Sequence, residues 1–227
     1  MASGETPVKV WDAPVRLFHW LLVLLFAFML VSGRIKGDWM VWHMRSGYAI
    51  LTLVLFRILW GFAGSSYARF SGFLAGPAAC LGFAKKLLAR APAPSAGHNP
   101  LGGWMVLALL IALLVQTGTG LFANDDILNE GPLASLVTKA MSDQLTSLHH
   151  LNLKLLLVLA AVHLLAVGYH ALVMKENLIG AMFTGVKLLP KDAAAGSAPA
   201  RFASPWLALV LLLVAAFAVF LIVNRPF

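Results

Sequence analysis

Five stretches of this chain, at 15–31, 41–62, 103–123, 145–174 and 206–223, are apolar with few interruptions and long enough to cross a hydrocarbon core, which takes about 20 residues of helix. In lipid every backbone N–H and C=O has to be satisfied inside the protein, so only helices and closed barrels can span. Barrel strands alternate apolar and polar residues, and these Leu, Val and Ala runs do not. An all-α fold is therefore expected: a transmembrane four-helix bundle with a fifth, C-terminal transmembrane helix. Composition agrees, since 60% of the 227 residues are hydrophobic, 11% are charged and the mean hydropathy is +0.85, outside the range of a soluble domain.

The first apolar run has the length of a secretory signal, but it lacks a small-x-small cleavage site and carries Arg16 and His19 near its start, so it reads as mature structure. The single Cys80 can form neither an intramolecular disulfide nor, alone, a zinc or iron–sulfur site.

Orientation follows from the Lys and Arg bias between loops. With the N-terminus inside, one side holds Lys9, Arg16, Arg69, Lys85, Lys86, Arg90, Lys175, Lys187, Lys191 and Arg201, against Arg34, Lys36, Lys139 and Arg225 on the other. Asp38, Asp125, Asp126, Glu130 and Asp143 fall on that second side. A cytoplasmic N-terminus and a periplasmic C-terminus in a bacterial inner membrane are expected. The net charge of +8 comes from residues scattered around helix ends without stacking aromatics, so anionic membrane lipid is the expected partner and nucleic acid is not.

The loop at 64–102 carries Gly72, Gly76, Pro77, Pro92, Pro94, Gly97 and Pro100 around a basic amphipathic piece at 81–88, which reads as an interfacial helix. The 124–144 loop has room for a short helix near Pro132. Residues 191–204, rich in Ala, Gly, Ser and Pro, read as a flexible linker. A core domain at 8–190, this linker, and an additional helix at 205–227 are expected.

Ionisable residues at membrane depth are costly, so each is a functional hypothesis. His19, His43, His149, His150, His163 and His170 lie in or at the ends of the predicted helices. His43 opens the second helix and His149 the fourth on the same side; His19 lies one turn into the first, and His163 deeper along the fourth. The 14 residues from His149 to His163 amount to about 21 Å of rise and about 40° of offset, so one helix offers two ligands at two depths. Imidazoles from facing helices can take both axial positions of a haem iron, leaving no site for substrate and suiting electron transfer. His43 with His149 and His19 with His163 are the expected pairs, each histidine being a metal ligand. From spacing alone, His150 competes with His149 and His170 with His163; His98 reads as a turn residue.

Gly47, four residues after His43, offers clearance for a porphyrin, as Gly33, Gly118 and Gly120 can. Arg16 and Arg57 are placed to partner haem propionates; for Arg45, contact with lipid phosphate is favoured.

Taken in order, several stretches resemble the bacterial cytochrome b561 and nickel–iron hydrogenase cytochrome b superfamily over roughly 8–187. They are Val10-Trp11-Asp12, Arg16-Leu17-Phe18-His19-Trp20, His43 with Gly47-Tyr48, Phe56-Arg57-Ile58-Leu59-Trp60-Gly61 and Tyr67-Ala68-Arg69-Phe70. They continue with Gly97-His98-Asn99-Pro100, Leu148-His149, His163, and Glu176-Asn177-Leu178 through Met182, Thr184, Gly185 and Lys187. The resemblance implies a four-helix bundle holding two b haems on His19, His43, His149 and His163. His170 resembles a second histidine that some members carry after the fourth-helix ligand. The fifth helix departs from the family pattern.

Transmembrane electron transfer through two bis-histidine b haems, between the quinone pool and a redox partner such as a cytochrome c or dehydrogenase, is thus the leading expectation. One alternative is a membrane-anchor cytochrome b subunit of a hydrogenase or other periplasmic dehydrogenase, although the short outer loops offer a large enzyme little surface. Another, of a different class, is a haem-free transporter using its histidines as proton relays. Homo-oligomerisation stays open. No nucleophile–base constellation, paired catalytic carboxylates or phosphate-binding glycine loop is present, so electron transfer is the one reaction the sequence offers.

Overall fold

The computed structural model describes residues 4–35, 37–89, 95–127, 129–196 and 198–224. Lys36, Arg90 and Arg225 of the charge bias, and Pro92 and Pro94 of the 64–102 loop, lie outside the described residues. In chain order come β1 (Glu5–Lys9), α1 (Ala13–Ser32), α2 (Trp39–Ala63), α3 (Phe70–Phe73), α4 (Pro77–Leu88), α5 (Pro100–Gly120), α6 (Lys139–Leu172), α7 (Leu178–Thr184), β2 (Val186–Pro190), α8 (Lys191–Ala195) and α9 (Pro205–Val223). Short 3-10 turns lie at Ser66–Ala68 and Ala134–Leu136, the second just past Pro132. Helices α1, α2, α5, α6 and α9 are long and apolar enough to cross a membrane, so the all-α membrane bundle with five spans is what the chain forms.

The chain divides into two compact units. Unit 1 comprises Met1–Leu17, Leu59–Ala108 and Ala160–Ala208; unit 2 comprises Phe18–Ile58, Leu109–Leu159 and Leu209–Phe227.

Unit 1 holds the one feature that the apolar runs do not announce, a small antiparallel ribbon. β1 pairs with β2 from Glu5↔Pro190 to Lys9↔Val186. Gly185 ends α7 at φ +81° and sends the chain into β2, while its carbonyl accepts from the Val10 and Trp11 N–H groups at 2.8 and 3.2 Å. A Cβ there would lie 2.6 Å from the Trp11 carbonyl oxygen, so conformation and space both demand glycine. Asp12 then caps α1: Oδ1 accepts from the Val15 N–H at 2.8 Å and Oδ2 from Trp60 Nε1 at 3.0 Å, and Trp60 is fully buried. Val10, Ala96 and Leu189 form the apolar cluster beneath the ribbon. Helix α4 covers the 81–88 piece from Pro77 onward and has no buried residue, leaving Leu81 and Leu88 exposed. Within 191–204, α8 takes the first five residues, and the Arg201 and Ala203 N–H groups donate to the Ser66 and Ser65 hydroxyls at 3.0 Å each.

In unit 2, Leu51 of α2, Leu121 just beyond α5 and Val219 of α9 are buried together, so α9 contributes to a core cluster. The α5–α6 connection doubles back on itself: the Gly131 N–H donates to the Ala123 carbonyl at 2.7 Å and the Leu133 N–H to Leu121 at 2.8 Å. Ala123, Asn124, Asn129 and Gly131 of this fold-back line the cavity of unit 2.

Candidate functional site

Unit 2 encloses a cavity of about 400 Å³. His43, in the second turn of α2, and His149, in the third turn of α6, both line it, with ring centres 6.5 Å apart and planes inclined at 72°. Phe26, Met29, Leu113, Leu153 and Leu156 are among its apolar walls.

The two imidazoles are held alike. His149 Nδ1 donates to the Gln116 carbonyl at 2.9 Å and lies 3.2 Å from the Thr119 hydroxyl. His43 has the Met29 backbone as a hydrogen-bond partner, and its Nδ1 lies 3.2 Å from the Ser32 hydroxyl. A carbonyl oxygen can only accept, so at His149 Nδ1 carries the proton and Nε2 keeps its lone pair. Next to each hydroxyl stands a glycine that the ring requires. A Cβ on Gly33 would meet His43 Cε1 at 2.9 Å, and one on Gly120 would meet His149 Cε1 at 3.1 Å. The two rings themselves thus require glycine at Gly33 and Gly120; Gly47 lines the cavity, where an added Cβ would meet Met29 Cε at 3.7 Å, and at Gly118 it would meet nothing within 4 Å.

Two imidazoles are too few donors for a metal that brings none of its own, and among the described residues no group of three or more His, Cys, Asp or Glu side chains could hold one. The pair suits a metal whose other donors arrive with it in a plane, as in a porphyrin. A metal–nitrogen bond of about 2 Å on each side, added to the distance from each ring centre to its Nε2, spans close to the observed 6.5 Å. The apolar walls match the macrocycle. The residues present fit a haem.

His19 lies on α1 in unit 2, half-buried, its ring 5.0 Å from Trp20 and edge-on to it. His163 lies half-buried on α6 in unit 1. Arg57 is buried on α2, in unit 2. Arg16, in unit 1, donates through Nη1 to the Phe183 carbonyl and sits against Gly185. His150 is exposed at the cavity, its ring 6.1 Å from that of His149. Arg45 lies over the Trp42 ring at 5.2 Å, and His98 between Trp11 and Phe73 at 4.6 and 4.8 Å.

His170 belongs to a different arrangement, in unit 1. Its Nδ1 donates to Glu176 Oε2 at 2.7 Å, its Nε2 is 3.5 Å from Asn99 Nδ2, and Lys187 Nζ is 3.5 Å from Glu176 Oε1 and donates to the Ser95 carbonyl at 2.8 Å. The bond from His170 holds the Glu176 carboxyl below the usual carboxylate range, and burial pushes the Lys187 ammonium down. Nothing in the sequence paired Glu176 with Lys187, because their meeting depends on the ribbon. Ser32, Gln116 and Thr119 were missed too, although Ser32-Gly33 and Thr119-Gly120 repeat one hydroxyl–glycine pair at the ends of two apolar helices.

Residues 10–185 match the family described as prokaryotic cytochrome b561. A probable Ni/Fe-hydrogenase B-type cytochrome subunit of Azotobacter chroococcum is 25% identical over 223 residues, covering 83% of this chain and 91% of the relative. Its counterpart in Bradyrhizobium diazoefficiens is 25% identical over 217 residues, covering 81% and 87%, and that in Rhodobacter capsulatus 23% over 228 residues, covering 83% and 84%. No solved structure matches the chain. The match over most of the chain, the five apolar helices and the fit of the imidazole pair to a haem lead to one conclusion: the chain belongs to the prokaryotic cytochrome b561 family and is a multi-pass membrane cytochrome b, a haem b protein of electron transfer.

Proposed function

We propose that this chain carries electrons across a bacterial inner membrane on two b haems, one held by His43 and His149 and the other by His19 and His163, between the quinone pool and a redox partner. The observation that carries the proposal is the pair of imidazoles across the unit 2 cavity, 6.5 Å apart and each anchored through Nδ1 by neutral groups. Bound haem supplies the one-electron ferric–ferrous chemistry. His43 and His149 would hold the haem through their imidazoles, leaving its iron to electron transfer rather than to a substrate. Ser32, Gln116 and Thr119 fix the ring orientation, and the apolar walls exclude water. For His19 and His163 the support is sequence spacing: His163 follows His149 by 14 residues, about four turns, on the same helix.

The names of the relatives favour a nickel–iron hydrogenase as the redox partner, which makes the chain its membrane-anchor subunit. Co-purification of a stoichiometric hydrogenase from the native membrane tests this against a free quinone-linked carrier. A cytoplasmic N-terminus and periplasmic C-terminus rest on the charge bias. Lys9, Arg16, Arg69, Lys85, Lys86, Lys175, Lys187, Lys191 and Arg201 all belong to unit 1, and Asp38, Asp125, Asp126, Glu130 and Asp143 to unit 2.

The first test is haem per chain in detergent, by pyridine haemochrome with reduced-minus-oxidised spectra. About two b haems are expected in the parent, with His43→Ala and His163→Ala each removing or converting one low-spin centre. A parent without haem would sink the proposal and leave a histidine-lined transporter as the reading to pursue. Reduction of the haem by added quinol tests the quinone link; a protein that quinol leaves oxidised has another donor.

A further inference from the structure

Among the described residues, the formally charged side chains lining the unit 2 cavity all come from the connections between helices, not from the helices. Arg34 lies between α1 and α2; Asp125 and Glu130 lie between α5 and α6. A haem brings a matching asymmetry: its macrocycle is apolar, and its two propionates are anionic and need charge-assisted donors. Among the described lining residues Arg34 is the one Lys or Arg. Its Nη1 donates to the Leu30 carbonyl in the last turn of α1 at 2.5 Å, which ties the guanidinium to the helix that also carries Ser32. A guanidinium has five N–H donors, so this anchor leaves a fork that a carboxylate can take.

The two acidic residues play unequal parts. The Asp125 carboxylate accepts from the Ile127 N–H at 3.0 Å, the Asn129 N–H at 2.9 Å and Asn129 Nδ2 at 2.6 Å, so it is committed to shaping the turn. Glu130 is exposed, its backbone bridged to Asn124, and it adds a negative charge to the same connection.

We infer that Arg34 binds the propionates of the haem held by His43 and His149, orienting the macrocycle with its carboxylates toward the α1–α2 and α5–α6 connections, an inference that rests on the reading of those two histidines as ligands. Arg45, stacked on Trp42, has no share in it. Reduction adds an electron to the centre, so a fixed cation there favours the reduced form and a fixed anion the oxidised form. Arg34 and Glu130 therefore act on one centre with opposite signs.

The test is a spectroscopic redox titration of the purified haem-loaded protein, with the rate of haem transfer to apomyoglobin as a second readout. Arg34→Gln is expected to shift the reduction equilibrium of one centre by up to tenfold toward the oxidised form, about 59 mV for a one-electron couple, and to release its haem faster. Arg34→Lys recovers most of the shift, Glu130→Gln moves the same centre the other way, and Arg45→Gln moves neither. Arg34→Gln with parental potentials and release rate overturns the inference, as does an equal shift in Arg45→Gln. If Arg34→Gln does not fold, Glu130→Gln decides, and unmoved potentials there overturn it. A parent whose spectra survive His43→Ala overturns the ligand reading itself, and this inference with it.

Discussion

In unit 2, His149 Nδ1 donates to the Gln116 carbonyl beside the Thr119 hydroxyl, and His43 Nδ1 lies beside the Ser32 hydroxyl with the Met29 backbone as a further partner of the ring; none of these groups carries a charge. In unit 1, His170 gives Nδ1 to a carboxylate that also faces Lys187, and its Nε2 lies 3.5 Å from Asn99. The contrast separates two uses of a buried histidine. A ring held by neutral groups with one nitrogen open can ligate a metal; a ring engaged on both nitrogens in an ionic cluster is a tie between chain segments. Here the tie joins the end of α6 to the loop before α7 and, through Lys187, to β2.

The largest effect that could break this contrast is all-or-none. His149→Ala should remove one low-spin centre from the spectrum, whereas His170→Gln should keep the parental haem stoichiometry and lower only the thermal midpoint in detergent. Haem loss in His170→Gln would erase the distinction between the two rings.

A second break point lies in unit 1. Asp12 both caps α1 and satisfies a fully buried Trp60 N–H, so Asp12→Ala forfeits the cap and leaves an indole donor unsatisfied. The two losses together should cost about 2–4 kcal/mol, read from unfolding in mixed micelles by circular dichroism. Asp12→Asn, which keeps an acceptor for one of the two donors, should cost less; an equal cost would show that the charge, not the hydrogen bonds, holds the cap.

Glu176 gives the contrast a pH dependence. Its carboxyl is held below its ordinary range by His170, so the stability it lends is complete above the unfolded carboxylate range and is lost as pH falls through the lowered folded value. Glu176→Gln should cost about 2 kcal/mol near neutral pH and flatten the acid limb of the midpoint-against-pH curve. An unchanged acid limb would place the acid-sensitive group elsewhere.

The five spans were legible because lipid leaves the backbone few choices and long apolar runs advertise themselves. The facing of His43 and His149 was legible from depth, since the apolar runs alone place both near the same end of the bundle, although α6 begins ten residues before His149. What the runs could not convey was contact between distant, weakly patterned segments. The β1–β2 ribbon joins two five-residue segments far apart in the chain, Glu5–Lys9 and Val186–Pro190, neither of which reads as a strand alone, and Glu176 and Lys187 meet because that ribbon places β2. Gly47 attracted attention through its helical spacing from His43, whereas the glycines that the rings press upon, Gly33 and Gly120, lie just past α1 and at the end of α5. Helical periodicity reports which residues share a face and is silent on what a neighbouring helix brings to it.

The smallest predicted effect sharpens the comparison inside unit 2. Each imidazole has one backbone partner and one hydroxyl partner, so deleting a hydroxyl should leave the ring orientation standing and weaken haem binding at the low end of the usual range for such supporting bonds, about tenfold. The two hydroxyls are not equal. Thr119 Oγ1 also donates to the Val115 carbonyl at 2.7 Å, which divides it between its own helix and His149, whereas Ser32 Oγ, fully buried, lies 3.2 Å from His43 Nδ1. Ser32→Ala should therefore release haem to apomyoglobin faster than Thr119→Val does, with both variants keeping two low-spin signals at first. The reverse order would mean that the Thr119 hydroxyl steadies α5 for its ring more than it serves the ring directly, and that the likeness of the two sides ends at geometry.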